Sequence, residues 1–275
     1  IGWNDAYGLI AEHLQALNSP DEALFYTSGR TSNEAAFLYQ LLVRSFGTNN
    51  LPDCSNMCHE SSGIALTESI GVGKGSVTVE DVANADLIVI AGQNPGTNHP
   101  RMLSVLEKAK ANGAGIIAVN PLPEAGLIRF KDPQTVRGAI GRGVPIADEF
   151  VQIRLGGDMA LFRGVARLLL EGDHQDREFI DAHCQGFDDY AALARAVDID
   201  TVLAATGITE AQLRRVADMM ASSQRTVVCW AMGLTQHTHA VATIGEITNV
   251  LLLRGMIGKP GAGVCPVRGH SNVQG

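Results

Sequence analysis

The stretch that decides the fold is Asp86-Leu87-Ile88-Val89-Ile90-Ala91. It is followed by GQNPGTNHP (Gly92–Pro100), a helix-patterned stretch to about Asn112, and then Gly115-Ile116-Ile117-Ala118-Val119. Two unbroken apolar runs, each too short for a helix of ordinary length, have the pattern of strands buried on both faces. The loop and helix between them complete a β-α-β unit, which places the two strands in parallel. Working outward, Glu149–Ile153 and Thr226–Trp230 (TVVCW) read as further strands. Asp158 opens a helix with Leu161, Val165, Leu168 and Leu169 on one face, and helical pattern continues to about Ala205. Thr209 and Gln212 form a capping box ahead of Leu213, Val216, Ala217 and Met220. The loop AMGLTQHTHA then leads into a helix ending near Leu253, and a glycine-rich tail follows.

The expected class is therefore α/β: a doubly wound, mostly parallel sheet in three α/β/α layers, Rossmann-like, with part of a second α/β domain at the N-terminus. Ligands of such sheets bind beyond the carboxyl ends of the strands. The N-terminal part predicts a helix over Asn4–Leu17, a strand over Ala23–Thr27 and a helix to Phe46 stopped by Gly47. A further helix runs from Cys58-His59-Glu60 to Ile70. The division expected is residues 1–51 as a piece of a neighbouring domain and 52–275 as the ligand-binding domain. An insertion or long loop without clear period spans about 122–147. The chain begins at Ile1 and stops at Gly275 in a polar stretch, and is expected to be a fragment of a longer protein.

Of the 275 residues, 45% are hydrophobic and 18% charged, which excludes wholesale disorder. No apolar run approaches the roughly 18 residues of a membrane span. A net charge of −8 argues against non-specific nucleic-acid binding. Any polyanionic ligand would have to be held by backbone amides and a few fixed cations. The five cysteines are scattered and read as reduced thiols, which gives cytoplasmic as the expected location.

Four loops, Ser28–Asn33, Gly92–Pro100, Gly156–Asp158 and Ala231–His239, combine small residues with Asn, Thr, Gln or His. Each is compatible with ordinary turn chemistry; together they suit a large nucleotide-like ligand lying on amides and helix N-termini. Neither G-x-G-x-x-G after a strand nor a Walker A lysine is present, so ordinary NAD and ATP sites lack support. Asp158 could cap its helix or accept hydrogen bonds from a guanine edge. Cys58-His59 at a loop-to-helix junction has the makings of a thiolate, a soft ligand for a heavy metal, or is a structural pair. Cys54 and Cys58, without a second pair, make a poor zinc site. Arg268 and His270 lie in PVRGHSN, where an arginine can grip a carboxylate or phosphate with two donors or simply be surface charge.

Several of these segments resemble one family. TNNLPDCSNMCHESSG (48–63) is similar to the active-site segment of formate dehydrogenases that carry a molybdenum or tungsten bis(molybdopterin guanine dinucleotide), bis-MGD. DLIVIAGQNPGTNHPRMLSVLEKAKANGAGIIAVNP (86–121) resembles the first nucleotide-binding β-α-β of that family, the molybdopterin oxidoreductase (DMSO reductase) superfamily. WAMGLTQHT (230–238) and GKPGAGVCPVRGHSNVQG (258–275) resemble two further family segments, and MCHESSG, NPLPEAGL and RGHSNVQG look most like the formate dehydrogenase-like alpha subunits.

The resemblance implies a two-electron oxidoreductase. Cys58 would be the metal ligand, His59 a nearby proton acceptor, and Arg268 with His270 the groups facing a small anionic substrate such as formate. The guanine dinucleotides would lie along Arg30, Thr31, Ser32 and Asn33; Gly92, Asn94, Asn98 and His99; Asn120; Gly157 and Asp158; and Met232, Gly233, Thr235 and Gln236. A 4Fe-4S cluster would belong to the full-length protein without being ligated by this chain. The other partners implied are the remaining domains of the parent chain and an electron-transfer partner. The same resemblance covers nitrate, N-oxide or S-oxide reductases and a metal-free structural relative in an electron-transfer complex. A thiol hydrolase using Cys58 and His59 is a further alternative. His270 stands where formate dehydrogenases have Gln, and Asn120-Pro121-Leu122 replaces their Asp-Pro-Arg.

Overall fold

A computed structural model describes residues 1–27, 31–52 and 58–269. They fall into two units, one ending at Cys58 and the other spanning His59–Gly269.

In the first unit, α1 (Trp3–Gln15) is followed by a single 3-10 turn (Pro20–Glu22) and α2 (Asn33–Phe46). Ser32 caps α2 by accepting from the Ala35 N–H at 3.3 Å, and Gly47 ends it in the left-handed region at φ 110°. The strand expected over Ala23–Thr27 is not formed. The segment has one ladder-like bond, from the Phe25 N–H to the Asn50 carbonyl at 2.9 Å, and Phe25 packs edge-on against Tyr39 and Phe46. A β-prone run with no partner strand among the described residues stays irregular. Trp3, Tyr7 and Ile10 on α1 and Phe37, Leu38, Leu41 and Leu42 on α2 are exposed, so both helices carry uncovered apolar stripes.

The second unit opens with α3 (Glu60–Ile70) and α4 (Val79–Ala83). Then come β1 (Leu87–Ala91), α5 (Pro95–Asn98), α6 (Pro100–Ala111) and β2 (Gly115–Asn120). Next are α7 (Ala125–Ile128), α8 (Val136–Ile140), β3 (Glu149–Gln152) and α9 (Asp158–Glu171). α10 (Arg177–His183), α11 (Phe187–Arg195), α12 (Ile199–Thr206) and α13 (Glu210–Ser222) follow. The unit closes with β4 (Thr226–Trp230), α14 (Met232–Thr235), α15 (Ala240–Leu253) and β5 (Gly263–Pro266).

The five strands pair in the order β3-β2-β1-β4-β5, every pair parallel. Alternation along the strands splits the core in two. Val89, Ile117, Val119, Val228 and Trp230 face a layer containing Leu66 of α3, Leu161, Val165 and Leu169 of α9, and Ile244, Ile247 and Leu251 of α15. Ile88, Ile90, Ile116, Ala118, Val227 and Cys229 face Leu103 and Leu106 of α6 and Leu127 of α7. Central strands buried on both faces have this pattern, which is why their sequences read as continuous apolar runs.

β5 lies in the tail for which sequence predicted only glycine-rich chain. The segment expected as an irregular insertion holds two short helices, α7 and α8, and a bridge between Phe130 and Val144. It also sends Leu127 and Ile146 fully into the core.

The strand order reverses between β1 and β4, since β1 leads on to β2 on one side and β4 to β5 on the other. A crevice at the carboxyl edge follows from that strand order, as in other open parallel sheets.

Candidate functional site

The walls of this crevice touch at a pair of glycines. The Gly233 N–H donates to the Gly92 carbonyl at 3.0 Å. A Cβ on Gly233 would lie 2.6 Å from the Gly92 Cα and 2.6 Å from its carbonyl oxygen, and one on Gly92 would lie 2.5 Å from Leu234 Cδ1. Gly92 also has φ +58°, a conformation that disfavours any side chain. A second close pair joins Gly96 of α5 to Gly126 of α7, where a Cβ on Gly126 would sit 2.9 Å from the Gly96 Cα. The floor is thus bare backbone. Both glycine N–H groups are engaged, Gly92 on the Val119 carbonyl and Gly233 on the Gly92 carbonyl, so the contact joins the β1 and β4 loops directly, and only glycine permits that approach.

Gln93, the next residue, was not singled out from sequence. It is buried, and its Nε2 contacts His99 Nδ1 at 3.3 Å and Met102 Sδ at 3.1 Å, while its Oε1 has no partner. Exchanging the two ends of the amide only transfers the vacancy from acceptor to donor. A buried polar atom without a partner costs about 1–3 kcal/mol, a cost that a ligand group or a water meeting it removes. Asn120 is buried too, but its Nδ2 donates to the Gln93 carbonyl at 2.8 Å, so it braces the ends of β1 and β2. Asn94 caps α5 through its Oδ1, which accepts from the Thr97 N–H at 3.1 Å, and its Nδ2 bonds Glu124. Asn98 is exposed.

His59 sits at the start of α3 in a closed chain of hydrogen bonds. Its Nε2 lies 3.0 Å from the Val267 carbonyl, which only accepts, so Nε2 carries the hydrogen. Nδ1 is then the acceptor for the Ser62 hydroxyl at 3.0 Å, and Ser62 Oγ accepts from the Trp230 indole N–H at 2.9 Å. Burial, with Arg268 and His99 adding positive potential against a weaker opposing bond from Val267, pushes the His59 pKa down to about 4. The ring is neutral and both nitrogens are engaged. The proton-acceptor role expected for it needs a lone pair that here belongs to Ser62.

Cys58 immediately precedes this brace and its thiol is half-buried. Arg268, half-buried, donates from Nη2 to the Gly73 carbonyl at 3.4 Å, and its backbone bonds the His99 side chain. The carboxyl edge therefore brings His59, His99, Gln93 and Arg268 together.

Following β3, Asp158 is the first residue of α9. Gly157 occupies the cap position and no side chain caps the helix, so capping is not what Asp158 does. Burial pushes its carboxyl above the usual range, opposed by a bond to its own backbone and by His237 of the β4 loop. Met232, Gly233 and Gln236 lie exposed along that loop, and Thr235 receives a bond at its carbonyl from Ser61 Oγ at 3.3 Å. Thr31, Ser32 and Asn33 belong to the first unit: Thr31 Oγ1 lies 3.0 Å from Thr27 Oγ1, Ser32 is a cap, and Asn33 starts α2. The loop holding them does not follow a strand. Arg30 and His270 lie outside the described residues.

The sequence profile of molybdopterin oxidoreductases matches residues 1–274. The chain belongs to the molybdopterin oxidoreductase family. An uncharacterised oxidoreductase of Mycobacterium tuberculosis is 77% identical over the whole chain, which spans 36% of that protein. YdeP of Escherichia coli is 46% identical and formate dehydrogenase H of the same organism 31%, the chain spanning 38% and 37% of them. Acetylene hydratase from Pelobacter acetylenicus shares the fold with a TM-score of 0.71 at 19% identity, over 96% of this chain and 34% of that one. This family region is thus about a third of the length of these relatives.

Membership implies a molybdenum or tungsten bis-MGD cofactor. The family region fits such a group on two counts: an orphaned buried amide at Gln93 and a buried carboxylate at Asp158. Among the described residues no three His, Cys, Asp or Glu side chains group to hold a metal, and no helix is long and apolar enough to cross a membrane.

Proposed function

We propose that this region holds guanine dinucleotide arms of a molybdenum or tungsten bis-MGD cofactor. The parent enzyme would be a formate dehydrogenase-like oxidoreductase acting on a small anionic substrate, with electrons passing to a 4Fe-4S cluster outside this chain. The observation that carries the proposal is the buried, unpartnered amide of Gln93 beside the contact between the β1 and β4 loops. When bound, the metal centre supplies two-electron redox chemistry.

The chain's own groups divide the remaining work. Gly92 and Gly233 let the β1 and β4 loops close on one another beside the dinucleotide, and Gln93 and Asp158 accept hydrogen bonds from guanine or ribose donors. Cys58 contributes a thiolate to the metal. Arg268 orients the substrate carboxylate, which matches its planar fork of donors, and His270 lies two residues beyond. His59 keeps the start of α3 and the end of β5 in register next to Cys58. Thr31, Ser32 and Asn33 with Arg30, and Asn94, Asn98, His99, Asn120, Met232, Thr235 and Gln236, complete the proposed cofactor contacts or the braces behind them. The 31% identity to formate dehydrogenase H makes formate the first substrate to assay.

The test is anaerobic purification of the full-length protein, elemental analysis, and reduction of an artificial electron acceptor by formate. Metal and guanine nucleotide together, with formate-dependent reduction, is the expected result. A protein free of both metal and guanine nucleotide overturns the proposal.

A further inference from the structure

On the face of the sheet away from His59 and Trp230, two cysteines stand opposite one another. Cys229 of β4 and Cys265 of β5 are register partners in adjacent parallel strands. Both side chains join the same core cluster, Cys229 within it and Cys265 packed against it. Neighbouring strands lie about 4.8 Å apart, inside the roughly 4.4–6.8 Å over which two Cα atoms can be bridged by a disulfide. Both are free thiols; Cys229 is fully buried and Cys265 partly exposed.

We propose that Cys229 and Cys265 form a cross-strand dithiol that peroxide oxidises to a disulfide, a modification site separate from the cofactor crevice. The two thiols are unequal. The Cys229 S–H bonds the Cys265 sulfur, which with burial raises the pKa of Cys229 and, against burial, lowers that of Cys265. Cys265 is the less buried of the two, so peroxide reaches it first, with Cys229 beside it as the resolving cysteine.

The chemistry balances with hydrogen peroxide as oxidant. The Cys265 thiolate attacks one peroxide oxygen, the O–O bond breaks, hydroxide leaves and takes up a proton as water, and Cys265 becomes a sulfenic acid. The Cys229 sulfur then attacks the Cys265 sulfur. The S–S bond forms, the S–O bond breaks, and the hydroxyl leaves with the Cys229 proton as a second water. Two thiols lose two electrons to one peroxide. The bond would tie β5 to β4 just ahead of Val267, whose carbonyl accepts from His59, and Arg268.

The experiment treats purified full-length protein with hydrogen peroxide, removes the oxidant with catalase, then denatures in iodoacetamide and maps tryptic peptides without reductant. Trypsin isolates Cys229 in residues 226–254 and Cys265 in residues 255–268, since the Lys259–Pro260 bond resists cleavage. The expected result is a covalent pair of these two peptides in most chains, released by reductant. Cys229→Ala, with Cys229→Ser as the alternative should the first fail to fold, stops the reaction at a Cys265 sulfenic acid that dimedone traps; Cys265→Ala leaves Cys229 unoxidised. Cys229 and Cys265 both recovered alkylated after peroxide, whether or not Cys58 or Cys184 is oxidised, overturns the proposal.

Discussion

Replacing Gly233 by alanine tests the contact between the β1 and β4 loops. The added methyl would lie 2.6 Å from the Cα and the carbonyl oxygen of Gly92, both backbone atoms that have no rotamer to escape into. Relief requires the β1 and β4 loops to part by roughly 1 Å, enough to break the 3.0 Å bond from Gly233 to Gly92. The lost hydrogen bond costs about 1 kcal/mol and overpacking about 1–3 kcal/mol more, some 2–4 kcal/mol together. Spent on the geometry that holds a ligand, that sum weakens retention roughly 30- to 1,000-fold, at about 1.4 kcal/mol per factor of ten. Gly245 of α15 is the control: nothing lies within 4 Å of its built Cβ. Alanine there gains roughly 0.5–1 kcal/mol as a better helix former. The assay compares guanine nucleotide released on acid treatment, and the melting temperature, in the two full-length variants and the parent. Gly233→Ala is expected to lose nucleotide and melt lower, and Gly245→Ala to keep nucleotide and melt slightly higher. Equal nucleotide content in Gly233→Ala and Gly245→Ala refutes the reasoning.

Other substitutions probe the remaining parts. Ser62→Ala strands the Trp230 indole N–H and His59 Nδ1 inside the protein, a loss of about 2–6 kcal/mol at 1–3 kcal/mol per orphan; denaturant unfolding less than 1 kcal/mol from the parent would contradict the brace. Gln93→Leu removes the orphaned amide at similar volume, so the cofactor-free protein should melt higher while cofactor content falls; a variant that melts lower and keeps its cofactor would show that the vacancy is not kept for a ligand. Asp158 has a raised pKa from burial, so its contribution to stability is fully present below the ordinary carboxylate pKa and lost as pH rises through the raised value. Asp158→Asn should therefore stabilise the cofactor-free protein most at neutral pH, with the advantage shrinking as pH falls; thermal melts across pH showing a constant difference would exclude the buried charge as cause.

What sequence could reveal here depends on where the deciding interactions lie. β1, β2 and β4 were legible because strands buried on both faces announce themselves as LIVIA, GIIAV and TVVCW without help from context. β5 was not: Gly263-Val264-Cys265-Pro266 has only two apolar residues between a glycine and a proline, and owes its state to pairing with β4. Ala23–Thr27 erred the other way, since strand propensity without a partner ladder yields no strand. The segment from 122 to 147 lacks period because its helices are a single turn or so long, yet it seats Gly126 on Gly96 and Leu127 in the core. The loops after β1 and β4 were recognisable by composition, whereas the contact between Gly92 and Gly233 joins residues far apart in sequence that only the strand order brings together. Gln93 reads as one more polar loop residue, and its meaning lies in burial. For Asp158 both roles fit the sequence, and the position of Gly157 as cap removes one of them.

The central claim is that this crevice holds the dinucleotide while Cys58 serves the metal. The most direct measurement is guanine nucleotide content, metal content and redox turnover of the full-length protein beside its Cys58→Ala variant, purified without oxygen. The account predicts nucleotide in both proteins and turnover only in the parent, because the contacts that hold the dinucleotide lie in loops remote from residue 58 in the chain. A Cys58→Ala variant that turns over at the parental rate, or a parent protein that carries no guanine nucleotide, would contradict it.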